Sequence, residues 1–349
     1  MTADGVAAWA QTKGASREAA RVLARYLVGR FAGRESVAPS QKLLRTAETE
    51  IATGLPEVQA SPAADGTIRY VVRLNDGALV EAVVIPHPER TTICLSSQAG
   101  CARGCVFCET GRLGLARNLA AEEITGQFVA VARTLAAKSL PTPTNVVFMG
   151  MGEPLDNVDA VLTACDVLAD ASGLGVAPRR ITVSTVGVVP AMRIFHKRAR
   201  VRLAVSLHAA NDDARRALVP VARTWDLAAL RGAVAEAPRT VLLQWTLIEG
   251  VNDTDRDVTE LRAFCEGLDV RVNLIPLNPG PEERLRAPSM ERVRSFQRQL
   301  SAAGIRVLVR MPHGQEVGGA CGQLAGALRD RPELKPALPV IGRARVRPE

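Results

Sequence analysis

Residues 94–108 read Cys94-Leu-Ser-Ser-Gln-Ala-Gly-Cys101-Ala-Arg-Gly-Cys105-Val-Phe-Cys108, and three of the chain's seven cysteines fall in its last eight positions. The spacing is C-x3-C-x2-C. Three thiolates on one tight loop can hold three corners of a cubane iron–sulfur cluster and leave the fourth iron without a protein ligand. An iron left open in this way can bind a substrate or cofactor and pass it an electron. The competing metal is zinc, which in a structural site takes four tetrahedral Cys or His ligands. The four histidines, His87, His196, His208 and His313, lie outside zinc-knuckle spacing of the triplet. The cubane is therefore favoured, and zinc stays open only through a remote fourth ligand.

Working outward, residues 91–96 (TTICLS) lead into the cysteines as a β-branched strand. Further strand-like runs follow at 144–150, 180–185, 201–207, 239–247, 269–276 and 305–310. Helical periodicity fits between them at 121–138, 157–171, 254–267 and 289–303. Repeated strand–helix units predict an α/β fold, a parallel sheet covered by helices and curled into a full or partial barrel. In such barrels functional groups gather at the C-terminal strand ends. Gly152-Glu153, Ser184, Ser206 with His208, and Asn278 stand at four of those ends, although each alone could be a turn residue. Upstream, IRYVVRL, the turn Asn75-Asp76-Gly77 and ALVEAVVIP predict a β-hairpin. Residues 1–60 read as helical, with Leu23, Leu27 and Phe31 on one face and Arg17, Arg21 and Arg25 on the other. That arginine stripe is either a solvated face or a phosphate-facing one. The expected division is a helical accessory region at 1–66, the hairpin at 67–90, a core at 91–328 and a basic, proline-rich tail at 329–349.

The chain has 349 residues, with 44 Lys+Arg against 36 Asp+Glu and a formal net charge of +8. Of the basic residues 39 are Arg, suited to phosphate or also the product of a GC-rich genome. Only 12 residues are aromatic, which argues against an interleaved stacking platform for single strands. No secretory signal or membrane-spanning stretch is visible, so the expected location is cytoplasmic with no membrane partner. An odd cysteine count in such a chain speaks for metal or redox chemistry rather than a disulfide framework. Cys165 and Cys265 occupy apolar helix positions and read as inert core residues.

Seven segments, in order, resemble the RlmN/Cfr family of radical S-adenosylmethionine (SAM) RNA adenosine methyltransferases. They are CLSSQAGCARGCVFC, GLARNLAAEEITGQ, NVVFMGMGEPLDN, ITVSTVGVVP, AVSLHAANDDARRALVPV, NLIPLNP and ACGQLAG, within residues 67–328. The resemblance implies a radical SAM partial (β/α) barrel with one 4Fe–4S cluster on Cys101, Cys105 and Cys108. It implies SAM, two molecules per turnover, contacted by Gly152, Glu153, Ser184, Ser206, Leu207, His208 and Asn278. By the same resemblance Cys321 is methylated and carries the methyl group to C2 or C8 of adenine, C2 ahead of C8, in ribosomal or transfer RNA. The route is radical because those carbons are poor nucleophiles. Cys94 then attacks the Cys321 sulfur, releasing the product and leaving a transient disulfide. Glu81 is the implied proton acceptor, its alternative being a hairpin carboxylate facing solvent. The glycines around Cys321 suggest a mobile loop. RNA and an electron donor such as a flavodoxin-like protein are the implied partners of a monomer.

Glu109 and Arg112-Leu113 depart from the usual family pattern beside the cluster, and residues 1–60 match the RNA-gripping accessory domain poorly. These departures put the target in question rather than the radical chemistry. The alternatives are a related enzyme acting on another RNA or a non-RNA acceptor, and a non-catalytic, zinc-stabilised RNA-binding module.

Overall fold

The computed structural model describes residues 3–31, 37–50, 55–171, 173–278 and 285–325. Twelve strands appear among them: β1 (Glu57–Pro62), β2 (Ile68–Arg73), β3 (Leu79–His87), β4 (Arg90–Cys94), β5 (Gln98–Cys101), β6 (Gly114–Asn118), β7 (Asn145–Phe148), β8 (Ile181–Thr185), β9 (Arg202–Ser206), β10 (Val241–Leu247), β11 (Val270–Pro276) and β12 (Val307–Val309). Ten form one sheet in the order β1-β2-β3-β4-β7-β8-β9-β10-β11-β12. From β4 to β12 every pairing is parallel, and from β1 to β4 every pairing is antiparallel. All seven expected core strands are present, and the α/β architecture with a parallel sheet is as the sequence predicts.

Helices Ala121–Ala137, Val158–Ala169, Val189–Arg198, Leu227–Ala235, Asp255–Cys265 and Met290–Ala302 connect the parallel strands. Their apolar faces, including Phe128, Leu168, Phe195, Leu230, Leu261 and Phe296, share one core with Val146, Val183, Val205 and Leu243 of the sheet. Covered on both faces, β8 buries all five of its residues. Cys165 and Cys265 are buried in this core, as expected of inert positions.

The hairpin joins β2 to β3 with Arg73 opposite Leu79. Its turn is closed by Leu74 N–H donating to Ala78 O and by Asp76 Oδ1 accepting from Ala78 N–H. The N-terminal segment differs from a uniformly helical reading. Helices Ala3–Thr12, Arg17–Phe31 and Gln41–Glu50 build their own small core around Val6, Ala10, Ala20 and Leu23, but residues 57–62 extend the hairpin as β1. The alternation Glu57-Val58-Gln59-Ala60 suits an edge strand exposed on one face. Arg17 and Arg21 are exposed; the side chains of Arg25, Leu27 and Phe31, and the whole 329–349 tail, lie outside those described. No helix among the described residues is long and apolar enough to cross a membrane.

The largest side chain sealed in the core is Trp245 of β10, whose Nε1–H donates to Asn252 O at 3.0 Å. Trp245→Ala should cost about 3–5 kcal/mol, from the cavity and the orphaned carbonyl together. Urea unfolding of wild type and variant measures it.

Candidate active site

The two strands outside the main sheet, β5 and β6, pair antiparallel and carry the cysteine loop between them, with Cys101 opposite Gly114. Cys108 then caps the short helix Glu109–Leu113. The three thiols line one wall of a cleft that opens to solvent. The opposite wall is made of parallel strand ends. Gly152, Glu153, Ser184, Ser206, His208 and Asn278 all line it, and Cys321 with Gly322 closes one side. The strand-end residues read from the sequence are therefore brought together, with one exception. Leu207 is fully buried behind the wall, where only its backbone works: its N–H donates to Gln244 O, and its carbonyl accepts from Arg215.

Each wall residue is fixed by its own bonds. After β7 the chain turns sharply at Gly152, where φ is +102° and a Cβ would lie 2.6 Å from the Gln98 side chain. Glu153 is buried and accepts from Leu155 N–H at 2.9 Å and Val186 N–H at 2.8 Å. Burial pushes its carboxyl up to about 7 against the pull of those bonds. His208 holds φ at +58° and accepts Thr246 N–H on Nδ1 at 3.0 Å. An imidazole that accepts on one nitrogen carries its proton on the other, so Nε2 is the donor. Burial, with Arg215 nearby, drives the ring down to about 3, so it is neutral at ordinary pH. Phe107 packs edge-on to it at 4.8 Å.

Burial raises all three loop thiols, Cys101 to about 12, and Cys108 opposes ionisation of both Cys101 and Cys105. Such a set is stable as thiolates only with a cation among them. Among the described residues no three Cys, His, Asp or Glu converge on one point as a single zinc ion requires. A cubane instead distributes its thiolates over separate irons, and the cleft-lining triplet fits that group.

Cys94 lies beneath the cleft on β4 and is buried, its thiol accepting from Met149 N–H. Burial and then the nearby Cys321 hold that thiol well above the ordinary range. Cys321 is the exposed cysteine of the seven. Its loop is not slack. Cys321 O accepts from Asn278 Nδ2 at 3.0 Å, Gly322 O from Glu109 N–H at 2.8 Å, and Leu324 O from Thr110 Oγ1 at 2.9 Å. A Cβ on Gly322 would sit 3.0 Å from Phe107 O, and φ there is +85°. The glycine serves a tight approach to the cysteine loop.

Glu81 does not line the cleft, and it does not face solvent either. Its side chain is fully buried, paired with Arg69 Nη1 at 2.8 Å and accepting Ala325 N–H at 2.7 Å. Burial raises its carboxyl; these two partners oppose the rise. Several lining residues escaped the sequence reading: Arg103, Phe107, Met149, Gln244 and Thr246. Gln244 and Thr246 carried a signal, as polar residues two apart in the otherwise apolar strand VLLQWTL.

Residues 95–262 match the Radical SAM superfamily. A dual-specificity RNA methyltransferase RlmN of Syntrophobacter fumaroxidans is 42% identical over 90% of this chain and 94% of its own. The chain belongs to the RlmN family. The RlmN of Halorhodospira halophila is 43% identical over 96% of this chain and 94% of its own length. A probable RNA methyltransferase of Sorangium cellulosum is 51% identical over 80% of this chain and 71% of its own. A solved radical SAM methyltransferase from Sphaerobacter thermophilus superposes with a TM-score of 0.84 at 38% identity, covering 93% of this chain and 97% of that one. As a radical SAM protein of the RlmN family, the chain uses a 4Fe–4S cluster and SAM.

The buried His208 gives a pH test. Unfolded, the ring takes a proton below about 6.5; folded, it refuses one until about 3. Its contribution is therefore complete above pH 6.5 and is lost as pH falls toward 3. His208→Asn keeps a residue that tolerates positive φ but does not titrate. The stability gap between wild type and variant should shrink by about 1.4 kcal/mol per pH unit below 6.5. Denaturant melts of ligand-free protein at a series of pH values measure it.

Proposed function

We propose that the protein methylates a ring carbon of adenosine in RNA, C2 ahead of C8, in ribosomal RNA, transfer RNA or both, through a methyl group carried on Cys321. The observation that carries this reading is the placement of the exposed Cys321 on the same cleft as the cysteine triplet, within electrostatic reach of the buried Cys94. When bound, the cluster and SAM supply a methyl group and a carbon-centred radical. Cys101, Cys105 and Cys108 hold the cluster. Gly152, Glu153, Ser184, Ser206, His208 and Asn278 orient SAM, and Leu207 shapes the strand end beside them.

The protein's own part follows from where its thiols sit. Cys321 accepts the methyl group on sulfur; the methyl carbon gives up one hydrogen atom to the supplied radical and bonds to the adenine ring carbon, which sheds its own hydrogen as a proton with one electron passed to the cluster. Cys94, losing its thiol proton, attacks the Cys321 sulfur, so that the sulfur–carbon bond breaks with its electron pair on carbon, the carbon takes up a proton to become the methyl group, and a Cys94–Cys321 disulfide is left. Glu81 accepts the ring proton, a role that suits a carboxylate whose proton affinity burial has raised. The reading includes a cytoplasmic monomer and a flavodoxin-like electron donor. It also keeps the division into an accessory region (1–66), hairpin (67–90), core (91–328) and basic tail (329–349).

The test is anaerobic incubation with SAM, reductant and RNA, followed by mass spectrometry of nucleosides. Methylated adenosine is the expected product, and Cys321→Ala should abolish it. Unmodified adenosine in both ribosomal and transfer RNA would leave only another acceptor. Cys94→Ala should accumulate a covalent protein–RNA species, visible as a shifted band that ribonuclease removes; normal turnover by that variant would remove Cys94 from the scheme. RNA binding should weaken as salt rises, because neutralised phosphates release counterions.

A further inference from the structure

Two guanidinium groups flank the cysteine triplet, and they differ in one respect. Arg103 is neutralised, its Nε–H donating to Asp156 at 2.7 Å while its guanidinium lies 5.9 Å from the Trp225 ring. Arg215, on the helix Asp212–Leu218, is fully buried, and its hydrogen-bond partners among the described residues are all neutral. Its Nε–H donates to Leu207 O at 3.2 Å, and Nη2 donates to Val186 O at 2.6 Å and Ser206 O at 3.4 Å. Burial pulls the guanidinium down to about 10, so it remains charged at neutral pH. Its helix sits on the cysteine loop, Leu218 O accepting from Val106 N–H at 3.2 Å and Leu218 packing in one apolar cluster with Cys105 and Val186, while the carboxylate of Asp212 is engaged by Leu227 N–H at 2.9 Å.

A buried cation without a carboxylate in contact is costly unless another anion offsets it. Three thiolates holding a cubane carry net negative charge at this place, and one more negative charge when it is reduced. Gly187 leaves the space for the guanidinium, since a Cβ there would lie 3.3 Å from Nη2. We propose that Arg215 is the buried counter-charge of the iron–sulfur site, fixed by the carbonyls after β8 and β9 and acting on the cluster held at Cys105. By favouring the more negative reduced state it sets the cluster's reduction potential higher than the pocket alone would. Arg215 thus acts through the cluster rather than on substrate. The inference rests on the reading that Cys101, Cys105 and Cys108 hold the cluster.

The experiment compares wild type, Arg215→Gln and Arg215→Lys after anaerobic reconstitution, reading iron and sulfide content and the midpoint potential from a dithionite titration followed by electron paramagnetic resonance. The expected result is a shift to more negative potential in Arg215→Gln and a potential close to wild type in Arg215→Lys. A fully loaded Arg215→Gln at the wild-type potential overturns the proposal, as does a loaded Arg215→Lys shifted as far as Arg215→Gln. If Arg215→Gln takes up no iron, Arg215→Lys decides. Full loading at the wild-type potential supports the counter-charge, whereas failure of both variants to load makes Arg215 a fold staple and overturns it. Wild-type protein that takes up no iron or sulfide fails the cluster reading itself, a result distinct from all of these.

Discussion

Parallel strands that stop together at one rim release their last carbonyls and amides into a space from which water is partly excluded. Each of those groups needs a partner. In this protein the partners come from a few buried polar side chains, and the shape of the cleft depends on them. Asn157 Nδ2 donates to Ser97 O and Leu119 O, tying the loop after β4 to the end of β6. Glu153 takes the amides of Leu155 and Val186, Arg215 takes three carbonyls after β8 and β9, and Asn252 takes His208 O, Thr246 O and Ile248 N–H. A rim satisfied in this way fixes the strand-end residues in one arrangement.

The same economy explains what could be read from the chain. The parallel strands and their helices were legible because β-branched runs alternated with 3.6-residue periodicity, and the hairpin because Asn75-Asp76-Gly77 admits few conformations. The cysteine triplet was legible by spacing alone. What stayed hidden was set by tertiary partners rather than local pattern. Strand β1 is a short polar edge, and β5 and β6 hold Gly, Ala, Cys and Asn in place of β-branched residues, so neither raised a strand signal. Arg215 stands in Asp212-Asp213-Ala-Arg215-Arg216, which reads as a solvated helix face, and only the packed structure separates buried Arg215 from half-buried Arg216. Glu81 had the opposite fate, a hairpin carboxylate drawn into the core by Arg69 and Ala325.

In the proposed scheme two of the four thiols outside the triplet, Cys321 and Cys94, divide a difficult requirement between them. A carrier thiol must be reachable from the cleft, whereas a resolving thiol must stay unreactive until the carrier has been loaded. Exposure of Cys321 and burial of Cys94 satisfy the two demands separately. A thiol held well above its ordinary range is a weak nucleophile toward solvent electrophiles, because little of it is thiolate. In the proposed scheme its attack on Cys321 depends on proximity rather than on intrinsic reactivity. Bonds from Asn278, Glu109 and Thr110 hold the Cys321 loop against the cleft. Of the glycines around Cys321, Gly322 permits a close-packed path across the cysteine loop, its Cα facing Phe107 O where a side chain would not fit.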